Sequence, residues 1–277
     1  MKKLKRVFTL LILSTFFLSS CSQTDRFEFH QEKRAAAVVY EEVPADFVPQ
    51  ELTVLSAGDS LTQGVGDSTK NGGYLPYLRT LLEDEKGIKD VDFLNFGVQG
   101  NRTTQLLKRL KSQEMQAALP DTDLVILTIG GNDIMKVAQE NFANLQLSAF
   151  EEARKLYIDN LYEIMNTINK ANPYASIVLV GLYNPFSQWF AEVEELNQIV
   201  NDWNEAGQRV IASYSNAYFV SIEDLFLNPA EDLLYSDNFH PNDRGYELIA
   251  ERLKTTLEER TLPDLIKNAY MVSKEEN

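Results

Sequence analysis

Leu52-Thr53-Val54-Leu55-Ser56-Ala57, followed at once by Gly58-Asp59-Ser60-Leu61-Thr62, is the stretch that decides how this chain folds. Its first half is short and apolar, the pattern of a strand buried on both faces of a parallel sheet. Its second half breaks the strand with a glycine and delivers a serine just beyond the strand's end. In open α/β sheets ligands bind outside the carboxyl ends of the strands. The residues that follow each strand are therefore where chemistry is to be sought.

Outward from this stretch the pattern repeats. Short apolar runs at Val91–Phe96, Leu124–Ile129, Ile177–Val180 and Tyr218–Ser221 predict four more strands. Between them, amphipathic periodicity predicts helices at Tyr74–Lys86, Thr103–Ala118, Ala149–Ala171, Trp189–Tyr214 and Asp243–Glu258. Asn172-Pro173 is a stop signal for the third of these. Strand–helix alternation calls for an α/β fold, a five-stranded parallel sheet with helices on both faces. There is no internal repeat and no second core-sized segment, so residues 51–277 read as one domain.

Strand two runs into Gly97-Val98-Gln99-Gly100-Asn101, and strand three into Gly130-Gly131-Asn132-Asp133. Beyond strand five comes Asp237-Asn238-Phe239-His240-Pro241. A serine hydroxyl is a poor nucleophile at neutral pH and needs a base beside it. The chain has two histidines, and His30 lies in a polar N-terminal stretch where a fixed geometry is not expected. His240 is then the base for Ser60. Asp237, three residues earlier, can hold Nδ1–H and fix the ring's tautomer. Pro241 biases His240 toward extended backbone, which aims the ring. An acyl-transfer site also needs donors for a developing oxyanion. The candidates are the backbone N–H of Ser60, that of Gly97, and the side chain of Asn132. Asn132 could equally cap the following helix. Asp59 and Asp133 read as braces for their loops, and Gly131 as a structural glycine.

Gly58-Asp59-Ser60-Leu61, Gly97, Gly131-Asn132-Asp133 and Asp237-x-x-His240 resemble, in order, the four sequence blocks of the SGNH (GDSL) hydrolases. The resemblance spans roughly residues 52–258. It implies a three-layer flavodoxin-like fold and cleavage of acyl esters by a serine hydrolase of the esterase/lipase type. It also implies Ser60 as nucleophile, His240 and Asp237 completing a triad, and Gly97 and Asn132 as oxyanion donors. The scheme needs no cofactor. The expected substrate is an acyl-ester small molecule or lipid. Two alternatives stand beside it: an O-acetyl esterase or acyltransferase acting on an envelope glycan, and a surface-binding lipoprotein without catalysis.

Residues 1–20 have the layout of a secretory signal: a basic start at Lys2, Lys3, Lys5 and Arg6, then the apolar run Val7–Leu18. Leu18-Ser19-Ser20-Cys21 resembles the lipobox of bacterial lipoproteins, which implies acylation of Cys21 and cleavage before it. With the Gly64-Val65-Gly66-Asp67 stretch, it also resembles a lipoprotein subgroup of this family in Gram-positive bacteria. Residues 21–50 read as a lipidated cysteine and polar tether, with a short helix near Lys33–Tyr40. The expected location is the extracytoplasmic face of the cell membrane, held by lipid.

The net charge of −15 argues against nucleic acid as a partner. One cysteine and two distant histidines offer no spacing for zinc. A second Gly-Asp-Ser, at Gly66-Asp67-Ser68, follows no strand and reads as a loop bordering the site. The aromatic-rich stretch Leu182–Phe186 with Trp189-Phe190 serves equally well as an acyl-pocket lining or as core and lid packing.

Overall fold

A computed structural model describes residues 49–141, 146–185, 194–228, 231–263 and 265. The expected signal peptide, Cys21, the tether and the Lys33–Tyr40 helix lie outside the described residues, as do Phe186, Trp189 and Phe190.

Five strands form one parallel sheet: β1 (Gln50–Gly58), β2 (Ile88–Gly97), β3 (Leu124–Thr128), β4 (Ser176–Val180) and β5 (Ala217–Val220). Their order is β2-β1-β3-β4-β5, so the fold is the expected α/β class. Side chains alternate across each strand, which splits the core in two. From β3, Val125 and Leu127 face a cluster with Leu106, Leu161, Ile164 and Trp203. Leu124 and Ile126 face the opposite cluster, with Leu78, Ile249 and Leu253. All of these are essentially solvent-free. Burial on both faces explains why the strands read as apolar runs rather than as alternating ones.

The helices are α1 (Ser60–Gln63), α2 (Leu75–Glu83), α3 (Thr103–Leu110), α4 (Gln113–Ala118), α5 (Gly131–Glu140), α6 (Leu147–Ala171), α7 (Glu194–Ile211) and α8 (Asp243–Arg260). α2 and α8 pack together on one side, and α3, α6 and α7 on the other. Two helices differ from expectation. The stretch Thr103–Ala118 is broken in two, because Ser112 accepts a hydrogen bond from Met115 N and caps a new start. And α5 (Gly131–Glu140), absent from the helices that the periodicity predicts, begins directly on Gly131.

The register aligns the strand ends. Gly58 pairs with Gly97 on one side and Thr128 on the other. Thr128 pairs with Val180, and Val180 with Val220. The carboxyl edge is thus one level row, and the loops that leave it all open on the same side.

Candidate active site

Gly58 closes β1 in a conformation with φ +154°, and a Cβ there would lie 2.0 Å from Thr128 O. No other residue fits so near the neighbouring strand. Asp59 then caps α1, its Oδ1 accepting from Leu61 N at 3.1 Å. Ser60 is the first residue of that helix, where a backbone N–H has no acceptor within the helix. Beneath it runs a buried hydrogen-bonded chain. Thr128 Oγ1 donates to Asp59 Oδ1 (3.0 Å), and Thr62 Oγ1 lies 2.8 Å from Thr128 Oγ1 and 3.1 Å from Tyr74 Oη.

Residues 60 and 240, far apart in sequence, meet here. Ser60 Oγ is 2.9 Å from His240 Nε2, and His240 Nδ1 is 2.6 Å from Asp237 Oδ2. An ionised carboxylate can only accept, so Nδ1 carries the proton and Nε2 is left to accept from the serine hydroxyl. Asp237 Oδ1 also accepts from the backbone N–H groups of Phe239 and His240, both at 3.0 Å. Partial burial works against its charge, but the hydrogen bonds from His240 and Phe239 outweigh it and hold the carboxyl below its usual range. The loop itself is pinned. Tyr183 Oη donates to Phe239 O at 2.6 Å, and Tyr235 N to His240 O at 2.7 Å. Ser60 and His240 are both buried.

Gly97 requires a correction. Its N–H donates to Asn95 Oδ1 at 2.9 Å, and Asn95 Nδ2 donates to Thr62 O. A Cβ at Gly97 would meet Gln63 N at 2.1 Å. Gly97 is therefore a close-approach glycine whose N–H is already used. Three residues on, the picture reverses. Val98 N donates to Gly58 O, Gln99 N to Gln63 Oε1, and Asn101 N to Val98 O. Gly100, with φ +79°, has no N–H acceptor among the described residues. Asn132 lies in the first turn of α5, whose N-cap is Gly130, so it is not the cap. Its Nδ2 donates to Asn101 O at 3.0 Å. This places the Asn132 amide, with a second N–H to spare, beside the Asn101–Arg102 peptide, one residue past Gly100. Gly100 is thus the glycine of this loop whose N–H has no acceptor among the described residues, a feature that sequence reasoning missed. The signal was present as a second glycine in the same loop.

Asp133 is a brace, as expected. Its carboxylate accepts from Thr103 N (3.0 Å) and Thr103 Oγ1 (2.6 Å), and Asn160 Nδ2 donates to Thr103 Oγ1. The second Gly-Asp-Ser is a braced loop: Asp67 accepts from Thr69, Asn71 and Gly73, and Ser68 bonds Asp243. It backs the histidine loop, since a Cβ on Gly66 would touch Pro241 O. Of the expected aromatic stretch, Leu182, Tyr183 and Pro185 line a cavity beside Ser60. No group of three His, Cys, Asp or Glu side chains suited to a metal occurs among the described residues.

A serine, a histidine and a carboxylate in hydrogen-bonded line, at the carboxyl edge of a parallel sheet, is the arrangement of a serine hydrolase on an α/β scaffold. Residues 56–248 match the model of the GDSL-like Lipase/Acylhydrolase family. The chain is 38% identical to the uncharacterized protein YpmR of Bacillus subtilis, over 77% of this chain and 84% of that one. It is 24% identical to the spore germination lipase LipC of Bacillus licheniformis, over 73% of this chain and 95% of that one. In fold it resembles a lipase from a goat rumen metagenome, with TM-score 0.67 and 22% identity, over 74% of this chain and 96% of that one. The chain belongs to the GDSL-like lipase/acylhydrolase family, and it is a carboxylic-ester hydrolase.

Proposed function

We propose that this protein cleaves acyl esters by two-step acyl transfer through Ser60, His240 and Asp237. His240 Nε2 takes the Ser60 proton as Oγ bonds to the acyl carbon. The carbonyl oxygen becomes an oxyanion, held by the N–H of Ser60, the N–H of Gly100 and the Asn132 amide, with Gly100 in the place first assigned to Gly97. The bond to the alkoxy group breaks, and that group leaves with the proton from His240. Water then gives its proton to His240 and its hydroxyl to the acyl carbon, and Ser60 recovers its proton as the acid departs. Asp237 holds the ring throughout and offsets the charge of the imidazolium.

The observation that carries this reading is the unbroken line from Ser60 Oγ through His240 to Asp237, at 2.9 and 2.6 Å. Ser60→Ala is expected to lower kcat/KM on a short-chain nitrophenyl ester by at least ~10³-fold with the circular-dichroism spectrum intact. Undiminished turnover in that variant would overturn the assignment.

We propose also that the protein is a lipoprotein, acylated at Cys21 and held on the extracytoplasmic face of the cell membrane. The lipobox-like Leu18-Ser19-Ser20-Cys21 and the sole cysteine of the chain support this.

A further inference from the structure

An apolar slot of about 110 Å³ opens beside Ser60 and runs between α5 and α7. One wall is Ile134, Met135 and Ala138, which share a face of α5. The other is Ile199 and Val200 of α7, with Phe150 of α6 behind them. Among the described residues the lining includes Ser60 and Asn132 but not His240, and no lysine, arginine or glutamate. Asp59, the single acid among them, is buried beneath the serine.

This asymmetry fixes which half of an ester the slot can serve, given the proposed roles of Ser60 and His240. The leaving alkoxy group must stand at His240 Nε2 to receive its proton. The acyl chain must leave the carbonyl carbon elsewhere, and the slot begins at the two residues that would hold that carbonyl. We infer that the slot takes the acyl chain of the substrate, and that the chain is neutral and of medium length. Asn132 and Ala138 are six residues apart on one helix, so the wall extends about 9 Å past the oxyanion donors, room for about six to eight carbons. Ala138 stands at the far end as the gauge of length.

The test is a nitrophenyl ester series from two to fourteen carbons, run with the full chain and its variants. kcat/KM is expected to rise a few-fold per added carbon up to about six to eight, then fall. Ala138→Phe is expected to lower the octanoate-to-acetate ratio of kcat/KM by at least ~10-fold. Met135→Ala, which widens the slot instead of filling it, is expected to move the optimum to longer chains. A flat profile, or ratios unmoved in both folded variants, would overturn the slot assignment while Ser60-dependent turnover left the mechanism standing. Absence of Ser60-dependent turnover across the whole series would overturn both.

Discussion

Asp59, next to Ser60 in the chain, is nearly solvent-free at 4% exposure. Burial pushes its carboxyl up to about 7 from 3.8, against the pull of the hydrogen bonds from Leu61 N and Thr128. The fold therefore favours the protonated form, whereas the unfolded chain loses that proton near its ordinary value. Between about pH 4 and 7 the native state binds more protons than the unfolded one, so stability falls as pH rises through this window. Both hydrogen bonds are accepted by the same oxygen, Oδ1. Asparagine can keep that oxygen and mimic the neutral acid. Asp59→Asn should thus match the wild type near pH 4 and exceed it by pH 8, by up to about 4 kcal/mol. Urea midpoints across this range measure the difference. Parallel curves for the two proteins would show that Asp59 ionises in the fold as freely as in the unfolded chain.

At the scale of elements, two of the proposed oxyanion donors, Gly100 and Asn132, come from separate segments that must hold a fixed spacing. Asp133 on α5 grips the start of α3 through Thr103, and Asn160 on α6 completes the lock. Gly100 lies just before α3 and Asn132 just before Asp133, so one carboxylate sets the spacing of these two proposed donors. Asp133→Ala is expected to cut kcat by about 10- to 100-fold with KM within a few-fold, since small misplacements of such donors are costly. It should also cost about 1–3 kcal/mol by leaving the buried Thr103 N–H unpaired. A melting-temperature loss with kcat intact would assign Asp133 to stability alone. Much of this architecture was legible beforehand. Buried strands announce themselves as apolar runs, and a serine, an asparagine and a histidine each past such a run could be read as one edge. Three features were not legible. α5 opens on Gly131 with Gly130 as its N-cap, a pair that by local preference signals a turn, and its packing against α6 is a tertiary contact that local preference does not show. Two glycines three residues apart look alike in sequence; the bond from Gly97 N to the Asn95 side chain, itself held by the tertiary bond to Thr62 O, decides between them. The slot exists only because α5 and α7 stand on either side of β4's exit.

For the whole molecule, the proposed membrane attachment has to hold a strongly acidic body. The chain carries −15, and cleavage before Cys21 would remove four basic residues and no acidic one. An anionic surface repels such a body. No helix among the described residues is long and apolar enough to span a bilayer. If the acyl groups proposed at Cys21 supply the attachment, it must be hydrophobic and not ionic. The wild-type chain, expressed in a Gram-positive host, should then stay with the membrane fraction in 1 M salt, where the Debye length falls to about 3 Å, and should leave it in detergent. Cys21→Ala should appear in the soluble or secreted fraction with its esterase activity unchanged, since every described residue of the site lies beyond Gln50. Release of the wild type by salt alone would point to an ionic attachment and sink the anchor. Membrane retention of Cys21→Ala would do the same, because it would place the attachment somewhere other than that thiol.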